Sequence, residues 1–111
     1  MTKILVCGGR DFKDRDLLFN VIDNIQPEEI ISGMAKGADS IAAEYATRFG
    51  ISLLKFPADW EKHGKSAGPI RNQQMLDEGK PDLVVAFKGG RGTAHMVSIA
   101  RKAGIPVKEY G

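Results

Sequence analysis

The sequence predicts an α/β fold in which a five-stranded parallel sheet lies between two layers of helices. Short apolar runs such as Ile4–Cys7 and Leu83–Phe87 lack polar alternation, which is typical of strands covered on both faces of a parallel sheet. Stretches with helical spacing of apolar residues alternate with these runs along the chain. The chain has 111 residues without a linker, repeat or low-complexity segment, so we expect a single domain over residues 1–111.

The predicted strands are short, mostly apolar runs that end at glycine, proline or polar residues. In chain order they are Ile4–Cys7, a strand centred on Ile30–Ile31, Ile51–Phe56, Leu83–Phe87 and Ile105–Lys108. Five parallel strands permit two doubly wound orders, 3-2-1-4-5 and 2-1-3-4-5. We favour 3-2-1-4-5, which places the loops after strands one and four side by side at the switch point where ligands bind in open α/β sheets.

The first two predicted helices have clear apolar stripes. Residues 17–25 carry apolar side chains at helical spacing, and either Asp14 or Asp16 is placed to cap or favour the first turn. Residues 38–49 carry a second stripe, and Gly50 is a typical helix stop.

The second half of the chain has a less regular pattern. We expect a long irregular loop over Pro57–Ser66, then a helix over residues 67–79 with Pro69 in its first turn. The apolar stripe of that helix is the weakest of the four. The last helix buries Met96 and its apolar neighbours and ends at Gly104.

Composition excludes several classes of protein. The formal net charge of +2 is too small to indicate nucleic-acid binding by itself. No apolar run reaches membrane-spanning length, and residues 1–3 lead into a strand rather than a signal peptide. Cys7 is the only cysteine, which excludes a disulfide framework and favours a reducing setting. We therefore expect a cytoplasmic protein without a membrane partner, in which Cys7 is a small buried apolar residue.

The segment Lys88-Gly89-Gly90-Arg91-Gly92-Thr93 stands between the fourth strand and the last helix. Glycines at such a junction let the backbone turn tightly and bring bare N–H groups up to a ligand. The helix that follows presents unpaired N–H groups and the positive end of its dipole to the same place. Phosphate is the group that such a turn accommodates best. The alternative is a glycine-rich turn that binds nothing.

The loops at the same edge of the predicted sheet are rich in positive charge. They contain Arg10, Lys36, Lys62, Lys65, Lys88 and Arg91, with Arg71 just inside the following helix. One basic edge on a nearly neutral protein favours a small anionic ligand over a long polyanion. The alternative is a solvated rim of charge. Gly8-Gly9-Arg10 adds a second glycine turn, which lacks the third glycine of a dinucleotide fingerprint.

Several other residues are candidates for ligand contacts. Trp60 either stacks on a base or pins its loop down. Arg71 and Asn72 interrupt an apolar stripe, which is better explained if they face a site than if they pack in the core. Asp39 either favours the start of its helix or contacts a ribose. The two histidines have no metal-ligand spacing with each other or with the cysteine, so we expect no metal site.

These motifs, taken in order, resemble the SLOG superfamily and, more narrowly, its short YspA-like branch, often found in bacteria and phages. The residues that carry the resemblance are Gly8-Gly9-Arg10-Asp11-Phe12, Ser32-Gly33, Lys36-Gly37-Ala38-Asp39, Pro57-Ala58-Asp59-Trp60, Gly64-Lys65-Ser66-Ala67-Gly68-Pro69-Ile70-Arg71-Asn72 and Gly89-Gly90-Arg91-Gly92-Thr93. The resemblance implies a Rossmann-like domain that binds a nucleotide or a nucleotide-derived ligand at its glycine-rich loops, without a further cofactor. The expected ligand-binding residues are Gly8, Gly9, Arg10, Gly33, Gly37, Asp39, Trp60, Lys65, Arg71, Asn72, Gly89, Gly90, Arg91, Gly92 and Thr93.

One branch of the superfamily, the LOG enzymes, cleaves the N-glycosidic bond of nucleoside 5′-monophosphates and has the motif Gly-Gly-x-Gly-Thr-x-x-Glu. The glycines and Thr93 match here, but Met96 occupies the glutamate position. A thioether cannot activate water or stabilise an oxocarbenium-like centre. Asp11, Asp39 or Asp59 would have to replace the glutamate, and the sequence singles out none of them.

Three functions follow, in decreasing order of support. The first is binding of a small nucleotide or nucleotide derivative, as a sensor, carrier or sequestering domain. The second is a nucleotide N-glycosidase or phosphoribohydrolase with a relocated carboxylate. The third, suggested by the DNA-processing branch, is a nucleic-acid-binding module, which the absence of a basic tail disfavours. Small domains of this kind often pair through helix faces, and Ile99 is a candidate contact in a homodimer or higher homo-oligomer.

Overall fold

A computed structural model describes residues 2–110 of the chain. Its strands are β1 (Lys3–Cys7), β2 (Glu29–Ser32), β3 (Ser52–Lys55), β4 (Leu83–Phe87) and β5 (Val107–Tyr110). Its helices are α1 (Arg15–Ile25), α2 (Ala38–Phe49), α3 (Trp60–His63), α4 (Ala67–Gln74) and α5 (Arg91–Lys102). A 3₁₀ turn, Gly64–Ser66, joins α3 to α4, and a π-helical turn, Met75–Gly79, extends α4.

The strands form one parallel sheet in the order β3-β2-β1-β4-β5, which confirms the predicted order. β1 is central, and Leu5 pairs with Ile31 on one side and Val84 on the other. The chain reverses its direction of winding between β1 and β4. The loops after these two strands therefore lie next to each other at the carboxyl edge, as expected for this type of sheet.

The sheet is covered by a hydrophobic core on each face, so its central strands read as unbroken apolar runs. On one face, Ile4 and Val6 pack with residues of α1 and α2, including Leu18 and Ala42. On the other face, Leu5 and Cys7 pack with residues of the π-helical turn and α5, including Met75 and Met96. Cys7 is buried, as predicted. The helix that the sequence predicts over 67–79 is present, with a π-helical final turn.

The boundaries of several elements differ from the sequence-based expectation: β3 is one residue shorter at each end than Ile51–Phe56, and α5 ends two residues before Gly104. The loop over Pro57–Ser66 is not irregular throughout, because the Asp59 carboxylate accepts a hydrogen bond from Lys62 N (3.1 Å) and starts α3. Strand β5 is formed two residues later than expected. Pro106 cannot donate to a neighbouring strand, although its carbonyl accepts from Val84 N (2.9 Å).

Ile99, the candidate contact between subunits, is half-buried against the second core. The expectation of a homo-oligomer stays a prediction. Within residues 2–110, no helix combines the length and apolar character that crossing a membrane requires.

Three loops at the carboxyl edge approach one another backbone to backbone. Gly9 N donates to Lys88 O (2.9 Å), and Gly9 O accepts from Ala38 N (3.3 Å) and Phe12 N (3.2 Å). Gly37 has φ +83°, and a β-carbon there would overlap the carbonyl of Gly9. Glycine is therefore required at position 37 both by its backbone conformation and by the close approach of the two loops.

We expect Gly37→Ala to destabilise the fold by about 3 kcal/mol, since it combines a strained backbone with a steric overlap. Gly104→Ala is the matched control, because Gly104 also has positive φ (+78°) but, apart from its two chain neighbours, no heavy atom of the described residues lies within 4 Å of the β-carbon position. Gly104→Ala should lower the free energy of unfolding by about 1–2 kcal/mol, which is the cost of the backbone strain without a steric overlap. Urea unfolding of both variants measures the difference, and equal costs would contradict the close approach of Gly37 to Gly9.

Candidate functional site

A cleft of about 1150 Å³ opens at the carboxyl edge of the sheet, between the loops after β1 and β4 and the start of α4. Most residues that the sequence predicts for the site border it. They are Gly8, Gly9, Arg10, Asp11, Asp39, Trp60, Lys65, Arg71, Asn72, Gly89, Gly90, Arg91, Gly92 and Thr93. The loops gather here because the strands that precede them are parallel and adjacent.

Three predicted site residues lie outside the cleft lining formed by residues 2–110. Gly33 borders a smaller neighbouring cavity. Gly37 packs against the loop after β1, as described above. Asp59 is exposed, and its carboxylate caps α3. These positions give Gly37 and Asp59 structural roles.

The N-terminus of α5 faces the cleft. Gly90 is the N-cap residue, and the N–H groups of the first turn have no carbonyl one turn earlier to bond. Apart from the adjacent residues and the backbone of α5 itself, no heavy atom of residues 2–110 lies within 4 Å of a β-carbon position at Gly90 or Gly92, and neither glycine has positive φ. Neither packing nor backbone conformation therefore requires these two glycines. Their lack of side chains leaves the helix end open to a ligand.

Gly89 differs from those two glycines. A β-carbon there would overlap the Thr93 hydroxyl and would lie 2.6 Å from Gly9 N. Gly9 is similar, because its β-carbon would lie 2.9 Å from Gly89 Cα. Gly9 and Gly89 thus let the two loops touch, whereas Gly90 and Gly92 border open space.

The charge of the cleft is predominantly positive. Its cationic lining residues are Arg10, Lys13, Lys65, Arg71, Lys88 and Arg91, and its carboxylates are Asp11, Asp14 and Asp39. Asp14 is already engaged, since its side chain accepts from Leu17 N (3.1 Å) and caps α1. A surplus of cations beside a helix N-terminus suits an anionic ligand.

Arg71 is half-buried and held by carbonyl groups. Its guanidinium donates to Gly33 O and, at 3.5 Å, to Phe56 O, while Nε donates to the Asn72 side chain (3.1 Å). Burial lowers the pKa of Arg71, the charge of Asp39 opposes that shift, and the charge of Arg10 adds to it. The side chain is therefore fixed in place with a positive charge that its surroundings compensate incompletely.

Asn72 is buried and joins α4 to the first turns of α5. Its Oδ1 accepts from Arg71 Nε, so its Nδ2 must face Gly92 O (3.2 Å) and His95 Nδ1 (3.1 Å). Because Nδ2 can only donate, His95 Nδ1 acts as the acceptor and the ring proton lies on Nε2. The break in the apolar stripe at Arg71 and Asn72 thus marks residues that position the cleft wall.

His95 borders the cleft, although the sequence predicted no role for it. In the sequence, the spacing of His95 to other residues argued only against metal ligation. Its position one helical turn after the glycine segment was the one signal that could have placed it at the cleft. Within residues 2–110, no group of three or more His, Cys, Asp or Glu side chains could hold a metal ion.

Asp39 is 6% exposed and borders the cleft in the first turn of α2. Its Oδ2 accepts from Ala35 N (3.3 Å), which ties down the loop before the helix. Burial raises the pKa of this carboxyl to about 6, against the hydrogen bond from Ala35 and the charge of Arg71, which lower it. A carboxyl group with such a pKa can exchange protons near neutral pH.

Trp60 and Arg10 lie at the mouth of the cleft. Trp60 is 50% exposed, and the Arg10 guanidinium carbon lies 5.9 Å from its ring centroid. This is cation–π range. The exposed part of the indole is free to contact a planar group, and its edge also approaches Gly68. The geometry is compatible with both roles considered for Trp60, stacking on a base and holding its own loop in place.

Cys7 and Met96 have no direct chemical role in this arrangement. Burial raises the pKa of Cys7 to about 12, so its thiol stays protonated at neutral pH. Met96 is 1% exposed and packs in the core between α5 and the sheet. The position of the LOG glutamate is therefore a core position in this protein.

Asp39 should make stability depend on pH in a defined direction. Its pKa is 3.8 when unperturbed and about 6 in the fold, so between these values the folded state holds a proton that the unfolded state has lost. The stabilising proton is lost as pH rises through about 6, at a cost of about 3 kcal/mol. Asp39→Asn, which keeps an acceptor for Ala35 N, should match the wild type near pH 4 and exceed its stability at pH 7.5.

Urea unfolding of both proteins between pH 4 and 7.5 measures this difference. A gap in the free energy of unfolding that stays constant over that range would contradict a buried carboxyl group with a raised pKa.

Comparison with known proteins agrees with the resemblance of the motifs. A family model described as the YspA, cpYpsA-related SLOG family matches residues 2–63, which include the loops after β1 and β2. The Gene 61 protein of Mycobacterium phage D29 is 37% identical over 123 aligned positions, which cover 100% of this chain and 98% of that protein. The chain belongs to the YspA, cpYpsA-related SLOG family.

Proposed function

We propose that this protein binds a nucleotide or nucleotide-derived phosphate ligand, as a sensor, carrier or sequestering domain. The observation that carries the proposal is the open N-terminus of α5 in a cationic cleft. Gly90 and Gly92 leave that helix end uncovered although the fold does not require glycine at either position. Free N–H groups, a favourable dipole and absent side chains together form a phosphate site.

The cleft also has room and apolar surface for the rest of a nucleotide. Its volume of about 1150 Å³ is slightly above the usual range of roughly 300–1,000 Å³ for small-molecule sites. Phe12, Leu17 and Pro69 contribute apolar lining, and Trp60 offers an aromatic face. In this proposal, Arg10, Lys65 and Arg91 supply charge around the phosphate, with Arg suited to bidentate contact. Membership of a SLOG family supports a nucleotide-related ligand.

We expect Gly90→Asp to abolish nucleotide binding while leaving the fold intact. The new side chain would enter open space, but its carboxylate would occupy the helix N-terminus and repel phosphate. Ser98→Asp is the matched control, because it adds the same charge at an exposed position farther along α5. Binding of a mixed nucleotide panel, read by mass spectrometry after separation of bound from free ligand, measures the effect. Unchanged binding by Gly90→Asp would contradict this site.

A second candidate function, an N-glycosidase acting on nucleotides, is favoured by one observation. Asp39 is a buried carboxyl group at the cleft with a pKa of about 6, which suits a general acid or base. Met96 cannot take that role, since it is buried in the core. Asp11 also borders the cleft and is the competing candidate, whereas Asp59 is placed as a cap.

If the protein is an enzyme of this kind, nucleoside 5′-monophosphates should yield free base and ribose 5-phosphate. Asp39→Asn should then reduce the rate by about 100-fold or more, the usual contribution of a general acid or base. Asp77→Asn, at an exposed position on the π-helical turn, should leave the rate unchanged. Chromatographic detection of the base measures the rate. Base release that survives Asp39→Asn but is lost in Asp11→Asn would contradict the assignment to Asp39.

A further inference from the structure

A second, smaller cavity of about 310 Å³ adjoins the cleft, between the loops that follow β2 and β3. We call it the annex. It is lined by Arg10, Gly33, Met34, Ala35, Lys36, Pro57, Ala58, Trp60 and Arg71. Arg10, Ala35, Trp60 and Arg71 also line the cleft. Because the two cavities share these walls, one molecule can occupy both.

The annex is lined by three cationic side chains, Arg10, Lys36 and Arg71, and by no carboxylate among residues 2–110. The ion pairs within 4.0 Å in that part of the chain involve none of the three. Asp39 lies on the cleft side and moderates the charge of Arg71 without forming such a pair. Three positive charges that converge near a single carboxylate repel each other, and an anion placed between them reduces that repulsion.

The loop after β2 is built around the Arg71 guanidinium. Gly33 accepts its hydrogen bond, and a β-carbon at Gly33 would come within 2.8 Å of Arg71 Cζ. Glycine at this position therefore makes room for the guanidinium at the annex wall. Carbonyls of Gly33 and Phe56 and the side chain of Asn72 hold the group there. These bonds use Nε and Nη1, so among the hydrogen bonds of residues 2–110 Nη2 is the guanidinium nitrogen left to donate to a phosphate oxygen.

We propose that the annex binds a second phosphate group of the molecule whose first phosphate lies at the N-terminus of α5. The ligand class is then a nucleotide with two phosphate groups, and nucleoside monophosphates fill only part of the site. This inference rests on the proposed function. It identifies Lys36 as a specificity-determining residue, because Lys36 lines the annex but not the cleft.

Lys36→Ala tests the inference, since the side chain is exposed and its removal leaves the fold unaffected. Binding of nucleoside 5′-monophosphates, 5′-diphosphates and 3′,5′-bisphosphates is measured by calorimetry for the four common bases. A two-phosphate ligand should bind the wild type at least about tenfold more tightly than its monophosphate, the scale of one charge-assisted hydrogen bond. Lys36→Ala should remove that advantage and leave monophosphate affinity unchanged.

Lys102→Ala is the matched control, because Lys102 is an exposed lysine at the end of α5 that borders neither of the cavities formed by residues 2–110. It should change neither affinity. Two-phosphate ligands that bind no more tightly than monophosphates would overturn the annex assignment alone, and so would a Lys36→Ala variant that weakens both classes equally. Failure of every nucleotide to bind the wild type would overturn the proposed function, and the annex with it.

Discussion

The peptide groups around Gly9 hold the site together. Gly9 donates to the loop after β4 through Lys88 O and accepts from the start of α2 through Ala38 N. Gly9, in the loop after the central strand β1, thus holds both the loop after β4 and the loop before α2 in place. These contacts need backbone atoms to approach without intervening side chains, which explains the glycines at positions 9, 37 and 89. The cleft is therefore shaped mainly by the backbone, and the side chains around it adjust its charge.

The glycines of the site are of two kinds, which differ in whether the fold requires them. Gly9, Gly37 and Gly89 are demanded by packing or by backbone conformation, and any side chain there disturbs the fold. Gly90 and Gly92 are demanded by neither. The letter G in the sequence does not distinguish the two kinds, because the difference lies in what surrounds each β-carbon position. Glycines without a structural requirement are the ones most informative about a ligand.

The sequence predicted the elements that have a clear apolar pattern, and through them the strand order, but it missed a short helix without such a pattern and side-chain contacts between distant residues. Parallel strands such as Leu83–Phe87 were recognisable because burial on both faces leaves only apolar residues. Helix α3 has four residues and no apolar stripe, so only the cap at Asp59 could have indicated it. The contact from Asn72 to His95 joins residues 23 positions apart. Its partner could not be identified before the fold had placed α4 beside α5.

The two proposed functions, phosphate binding and glycosidic cleavage, depend on different parts of this fold. The proposed phosphate cradle would use backbone N–H groups of Gly90 to Thr93, so it needs no particular functional group on a side chain there. A catalytic carboxylate depends on one side chain facing the cleft. The side chain at position 96 does not face the cleft, since Met96 packs in the core with Leu5 and its neighbours. A carboxylate placed there would be buried without a partner at large energetic cost. Any hydrolytic chemistry in this protein would therefore have to come from another element. Asp39, in the first turn of α2, and Asp11, in the loop after β1, both border the cleft, and of the two it is Asp39 whose pKa is raised by burial.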